Sequence, residues 1–482
     1  MDEFENAFEN LKDAAPKTEG TYERFSRKAQ RHKEENIHAR KKLHVGRAIG
    51  ISCGVLASAV VLVPGIAFLV ATAQIQDTHR DLSRSYTIKE AQAIQAETFH
   101  RLNSFTYLEG GSGWKVEDAY RDAVNGFTET VYHAMQQESN GVFSPLGLYM
   151  HFDLLSHGLS NESQNVLMDS LLCLDKEGRD ENFLGAFYGN RREGKTFVSM
   201  VNGSFLDNGY TYKDSYLDYL TGKYVEAFSM DFVKDEDLGK MVAWANGNLN
   251  DPMIEQNDIA FDSAEFALFS LLNFRGKWGF EKNDTVDAPF MNKDGSTATV
   301  PMMHKTLYGK AYCYDDYWSF SIPFTDGYVM QILTPDQKED DIFALLEGKS
   351  FLDDDASCAY VTENGDEEYL IEVDLPRFET TSSLSFRDTI SSLGLDFLYD
   401  DMSPSLDDIA QGTSLFLLDT KQKNKIVWDE DGARGVSITF SFGMGAAAPA
   451  PDGLHFTMDS PFVYVIKDAN GLPLYLGNVS SF

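Results

Sequence analysis

Hydrophobic and polar positions divide the chain into four stretches. Residues 1–47 are polar, with apolar residues too sparse to form a core. From Ile49 to Ala73 the chain carries no charge for 25 residues, enough at 1.5 Å per residue to span a hydrocarbon layer of about 30 Å. Residues 48–73 are therefore predicted to be one transmembrane helix, and Pro64-Gly65 within them is tolerated in spanning helices. Residues 74–113 return to a polar, helix-prone pattern that "LEGGSGW" interrupts, which predicts a stalk ending in a hinge. From Trp114 to Phe482 the pattern is dense. Helical spacing governs "VEDAYRDAVNGFTETVYHAM", "LYMHFDLLSHGL", "NESQNVLMDSLL" and "DLGKMVAWANGNLN". Strand-like runs follow: "TFVSMVNGSFL", "FALFSLLNF", "YLIEVDLPRF", "SLFLLDT", "KIVWDE", "FVYVIKD" and "PLYLGNV". Early helices followed by many strands, without a repeat, predict one large α+β domain at 114–482.

Charge sets the orientation of the spanning segment. Nine basic residues between Arg24 and Arg47 are opposed there only by Glu34 and Glu35 after Arg24, which keeps the N-terminus in the cytosol and the C-terminal domain outside. Ala71-Thr72-Ala73 has the form of a signal-peptidase site, so cleavage there is the alternative to a retained anchor. Overall, 41 basic against 75 acidic residues give a net charge of −34, which argues against nucleic acid as a partner. The four cysteines are widely spaced, and no disulfide framework or zinc ribbon is expected.

Chemical motifs are few. Gly443, Gly445 and Ala448 match a G-x-G-x-x-A turn after the strand-like "VSITFSF". Pro449, Pro451 and Gly453 then exclude the helix that a dinucleotide site needs. The chain has no HExxH and no GxxxxGK[ST], and its ten histidines show no catalytic pairing along the sequence. An enzyme, a cofactor and a metal are not expected. What does stand out is a period of two. Ala433, Gly435, Ser437, Thr439, Ser441 and Gly443 are small, and Arg434, Val436, Ile438, Phe440, Phe442 and Met444 between them are large. That segment is patterned as a strand with one face able to enter a packed layer.

Several stretches, in one order, resemble the serpins. "NGVFSPLGLYM" (140–150) resembles the start of the family's second helix. "NFRGKWGFEKNDTVDAPFMNKDGSTATVPMMHK" (273–305), "VDLPRFE" (373–379) and "SPFVYVIKDANGLPLYLGNV" (460–479) resemble its later signatures. The resemblance implies a serpin-like domain with a large central β-sheet, further sheets, surrounding helices and an exposed reactive loop. It also implies inhibition of a protease by cutting of that loop and its insertion into the sheet. By that likeness the hinge and inserting residues are Glu430, Gly432, Ala433, Gly435, Ser437 and Thr439. The reactive bond falls at Ala446-Ala447, with Met444 and Ala448 as alternatives. Ser144, Ser270 and Gln422 stand at the polar cluster beneath the sheet, Gln422 where the family usually has His. No Lys or Arg lies between Gly435 and Asp452, so the expected target has a small apolar pocket, like elastase. The expected partners are an extracellular serine protease, or a cysteine protease, and the lipid bilayer through 48–73. A non-inhibitory surface binding module is the alternative function.

Overall fold

A computed structural model describes residues 100–482 except 136–138, 250–252, 256–257, 259–263, 363–364, 366–367 and 434–452. The predicted tail and anchor lie outside the described residues. Among those described, no helix is long and apolar enough to cross a membrane.

The strands form four ladders. One runs in the order β1 (His100–Arg101), β4 (Val225–Met230), β3 (Phe197–Asp207) and β5 (Phe266–Arg275). A second joins β12 (Phe378–Ser385), β13 (Lys421–Asp429) and β14 (Gly432–Ala433). The third is six strands in the order β2 (Gly141–Phe143), β17 (Pro473–Val479), β16 (Phe462–Lys467), β10 (Val329–Pro335), β9 (Tyr317–Pro323) and β8 (Ala311–Cys313). The fourth is β15 (Leu454–Thr457), β11 (Tyr369–Pro376), β7 (Thr297–Gly309) and β6 (Val286–Met291). The first two ladders approach each other through one antiparallel bridge, Gly276 to Ala433, beyond the end of β5. They are two halves of one large sheet, joined at that corner.

Helices cover both sides of this sheet. In α1 (Asp118–Met135), Tyr120, Val124, Phe127 and Val131 recur at helical spacing and are buried. Ser144 caps α2 (Pro145–Ser156), Pro145 sits in its first turn, and buried side chains surround it on every side. A helix buried on every side belongs in an interior, where its Asp153 is paired with Arg179 at 2.6 Å, and α2 lies under β5 and β17. Further along come α3 (Asn161–Leu167), α4 (Lys176–Gly189), α5 (Asp214–Gly222) and α6 (Asp235–Gly247). The last is amphipathic, and it presses Leu238, Met241 and Trp244 onto Phe205, Phe228 and Leu271 on the other face of the sheet.

Two expectations change. "SLFLLDT" is not a strand: Leu415 makes one isolated bridge to Leu406, and Leu417 is buried without a ladder. A short apolar run satisfies burial in either conformation, so its pattern alone does not decide. The second concerns residues 100–113, expected at the end of a stalk. His100 and Arg101 pair with Ser229 and Phe228, and the Asn103 side chain bonds to the Val225 carbonyl at 2.9 Å. Trp114 stacks on Tyr188 with ring centroids 4.9 Å apart. This segment is polar in sequence because it supplies an edge strand and side-chain hydrogen bonds, and it docks on the domain.

Candidate functional site

β13 leads into a tight turn at Glu430-Asp431, and β14 folds back on it, pairing Ala433 with Trp428 and Gly432 with Asp429. Gly432 has φ +126°, and a Cβ there would stand 2.1 Å from the Gly276 carbonyl oxygen. Only glycine fits. On its other side β14 accepts a bond from the Gly276 amide to the Ala433 carbonyl at 2.9 Å. β14 therefore lies between β13 and the end of β5, and holds them one strand apart.

The turn is fastened by charge and by aromatic packing. Glu430 is 2% exposed, and the Arg377 guanidinium Nε lies 3.0 Å from each of its carboxylate oxygens. Thr285 donates its hydroxyl to the same carboxylate. Burial alone would raise the Glu430 carboxyl, but the bonds from Arg377 and Thr285 outweigh it and hold the group below the usual carboxylate range. The Trp278 indole donates to the Asp429 carbonyl at 2.7 Å while stacking on Phe324, with ring centroids 5.1 Å apart.

Beyond β14 the two halves of the sheet separate. No ladder joins β5 to β13 among the described residues. Between them is a cavity of about 480 Å³, lined by both strands, by Ser144, Gly147 and His151 of the α2 region and by Met241 of α6. Burial pushes His151 down to about 4, so it is uncharged at neutral pH. Of the expected polar cluster, Ser144 and Gln422 meet directly. The Ser144 amide donates to Gln422 Oε1 at 2.9 Å, and Gln422 Nε2 donates back to the Ser144 carbonyl at 2.9 Å. Ser270 lines the same cavity from β5. Its hydroxyl is buried with no hydrogen-bond partner among the described residues, and so is the amide of Asn202, opposite it on β3.

Glu430, Gly432 and Ala433 thus sit at the mouth of a slot, and Ser144, Ser270 and Gln422 along it. Gly435, Ser437, Thr439, Met444, Ala446, Ala447 and Ala448 lie outside the described residues. The chain is described again from Gly453, and β15 then pairs in parallel with β11. Sequence reading missed Arg377, Thr285 and Asn202. Arg377 follows the proline of "VDLPRFE", a position whose partner is fixed only by the meeting of two strands distant in sequence.

Residues 122–482 match the family Serpin (serine protease inhibitor). The chain belongs to the serpin family. Human Serpin I2 is 24% identical over 372 residues, covering 72% of this chain and 87% of that protein. Among solved structures, the thermophilic serpin Tengpin in its native state superposes with a TM-score of 0.67 at 18% identity, covering 78% of this chain and 98% of Tengpin. Serpin48 of the insect Tenebrio molitor gives 0.65 at 20% identity, covering 76% and 99% of the two chains. At such identities the superposed serpin structures speak for the fold alone. The family is in general one of serine protease inhibitors, and the domain has the mixed α and β architecture with large sheets that the sequence leads one to expect.

Proposed function

We propose that this serpin is inhibitory, and that it traps extracellular proteases that cut after a small apolar residue. The observation that carries the reading is the slot between β5 and β13 with β14 seated at its mouth. β14 is antiparallel to both neighbours, so the chain continuing from Ala433 can enter as a strand antiparallel to both. Extending its two pairings puts Gly435 between Ile426 and Phe274, Ser437 between Asn424 and Leu272, and Thr439 between Gln422 and Ser270. Ile426 and Phe274 are buried in the main core, so this register turns the small residues inward. It sends Ile438 and Phe440 toward Leu271 and Phe269, the face that α6 covers. Thr439 would then offer its hydroxyl to Ser270.

The chemistry follows from a cut at Ala446-Ala447, or one or two residues away. The protease serine attacks the carbonyl carbon of Ala446, the peptide bond to Ala447 breaks, and an ester joins the two proteins. The upstream arm is now free of β15 and can enter the slot. The thirteen steps from Ala433 to Ala446, at roughly 3.3 Å each, would carry the bound protease about 40 Å. The absence of Lys and Arg from Gly435 to Asp452 favours an elastase-type pocket over a trypsin-type one. Incubation with an elastase is expected to yield an SDS-stable complex with the mass of protease plus cut inhibitor. Clipping without a complex would overturn inhibition and favour a surface binding module.

The apolar stretch 48–73 and its basic flank support display from a single-pass anchor in the cell membrane, with the domain outside. Protease added to intact cells should then remove the domain and leave an N-terminal tag with the cells. Domain recovered in the medium without the N-terminal tag, and without added protease, would mean that the chain is cut after Ala73 and the anchor not retained.

A further inference from the structure

Away from the slot, three strands of the β15–β11–β7–β6 sheet bring together side chains that lie far apart in the sequence. On β11, Ile371, Val373 and Leu375 enter the core, so Glu372 and Asp374 occupy the opposite face. His304 on β7 pairs directly with Asp374, and His455 on β15 pairs with Glu372. The two imidazoles reach the one carboxylate from opposite sides. His304 Nδ1 is 2.7 Å from Asp374 Oδ1, and His455 Nε2 is 2.6 Å from Oδ2. The Thr457 hydroxyl donates to Oδ2 at 3.1 Å. One donor atom from each of His304, Asp374 and His455 falls within a group spanning no more than 4.8 Å. Asp374 and His455 are 9% and 10% exposed and His304 30%, so the group forms a recess open on the His304 side. The other nitrogen of His455, Nδ1, faces Glu372 Oε2 at 3.8 Å.

The geometry points to a divalent metal site of the zinc class, with His304 Nδ1, His455 Nε2 and an Asp374 oxygen as ligands and Glu372 orienting His455 from behind. Two imidazoles and a carboxylate suit zinc, whereas calcium and magnesium prefer oxygen alone. Zinc bonds of about 2.0–2.2 Å require the donor atoms to draw together by an ångström or so, which side-chain rotation supplies. The open side leaves a fourth position for water. A side-chain adjustment of under an ångström would let the Glu372 carboxylate accept from His455 Nδ1–H and favour the tautomer that presents Nε2 to the metal. The site has a mechanical consequence. Among the described residues β15 is a four-residue edge strand that pairs with β11 alone, and it begins at Leu454, directly after Gly453. A bound ion would tie it through β11 to β7 and so fix the downstream anchor of the loop.

The test uses the full chain without a polyhistidine tag, stripped with a chelator and titrated with Zn²⁺ by calorimetry and with Co²⁺ by visible absorption. One Zn²⁺ per chain is expected, with the Co²⁺ spectrum of a four-coordinate nitrogen and oxygen site. His304→Ala and His455→Ala should each weaken binding at least about 100-fold, and Glu372→Gln about 10-fold. Saturation at a hundredfold excess over Kd should raise the melting temperature by about 3 °C. The wild-type stoichiometry, the Co²⁺ spectrum and the graded effect of Glu372→Gln remain decisive if a histidine variant fails to fold. Absence of stoichiometric binding to the wild type would overturn the proposal, as would unchanged binding in both histidine variants.

Discussion

Glu430 holds a carboxylate in the turn between β13 and β14, and almost none of its side chain meets water. A buried carboxylate is stable there only while paired, and Arg377 and Thr285 supply the partners. Because its folded pKa is depressed, the ionised group contributes stability above its unfolded pKa of about 4.3 and loses it as pH falls through the folded value. Glu430→Gln removes that titration while keeping an acceptor oxygen. Between pH 6 and pH 3 the variant should lose less melting temperature than the parent does. Arg377→Ala should instead destabilise at neutral pH by about 2 kcal/mol, because it strips a buried acceptor of its main donor. Parallel melting curves for parent and Glu430→Gln across that range would show that the pair contributes nothing.

At the scale of elements, the pairing of β14 would set which residues face inward on the proposed insertion, and Gly435 would be the first of them past the described chain. Opposite Ile426 and Phe274, an arginine at 435 would bury an unpaired charge only in the inserted state, at several kcal/mol. Outside the sheet the same side chain would be solvated. Gly435→Arg should therefore leave the uncut melting temperature nearly unchanged while shifting the outcome with elastase from complex to clipped product. Arg434, in the opposite register, should tolerate Ala. Undiminished complex formation by Gly435→Arg would show that the register, or insertion itself, is wrong. This alternation was legible in the sequence because a strand's faces repeat every second residue. Strands such as "FVYVIKD" were legible for the same kind of reason, as β-branched and aromatic runs. The ion pair of Glu430 with Arg377 and the grouping of His304, Asp374 and His455 were not. Each depends on which strands become neighbours, and no local pattern encodes that choice. "SLFLLDT" misled because its apolar side chains fill the interior without a ladder.

At the scale of the molecule, the loop is tethered at both ends in different sheets, by β14 upstream and β15 downstream. Among the described residues β5 and β13 are unjoined beyond Gly276, and the side chains of Ser270 on β5 and of Asn202 opposite it on β3 have no hydrogen-bond partner. Cutting near Ala446 removes the downstream tether. An entering strand then satisfies two facing edges at once, and about ten new ladder bonds at about 1 kcal/mol each outweigh the loss of an arm already partly held at β14. For a domain of this size each kcal/mol shifts the melting temperature by about 1 °C, so a single cut should raise it by roughly 10 °C. Native gels in urea would report the same change as a transition moved to higher denaturant. The cut chain has lost a covalent bond and would ordinarily be less stable. A melting temperature that stays level or falls after cutting would mean that the slot does not accept the loop, and would leave the domain a binding module in place of a trap.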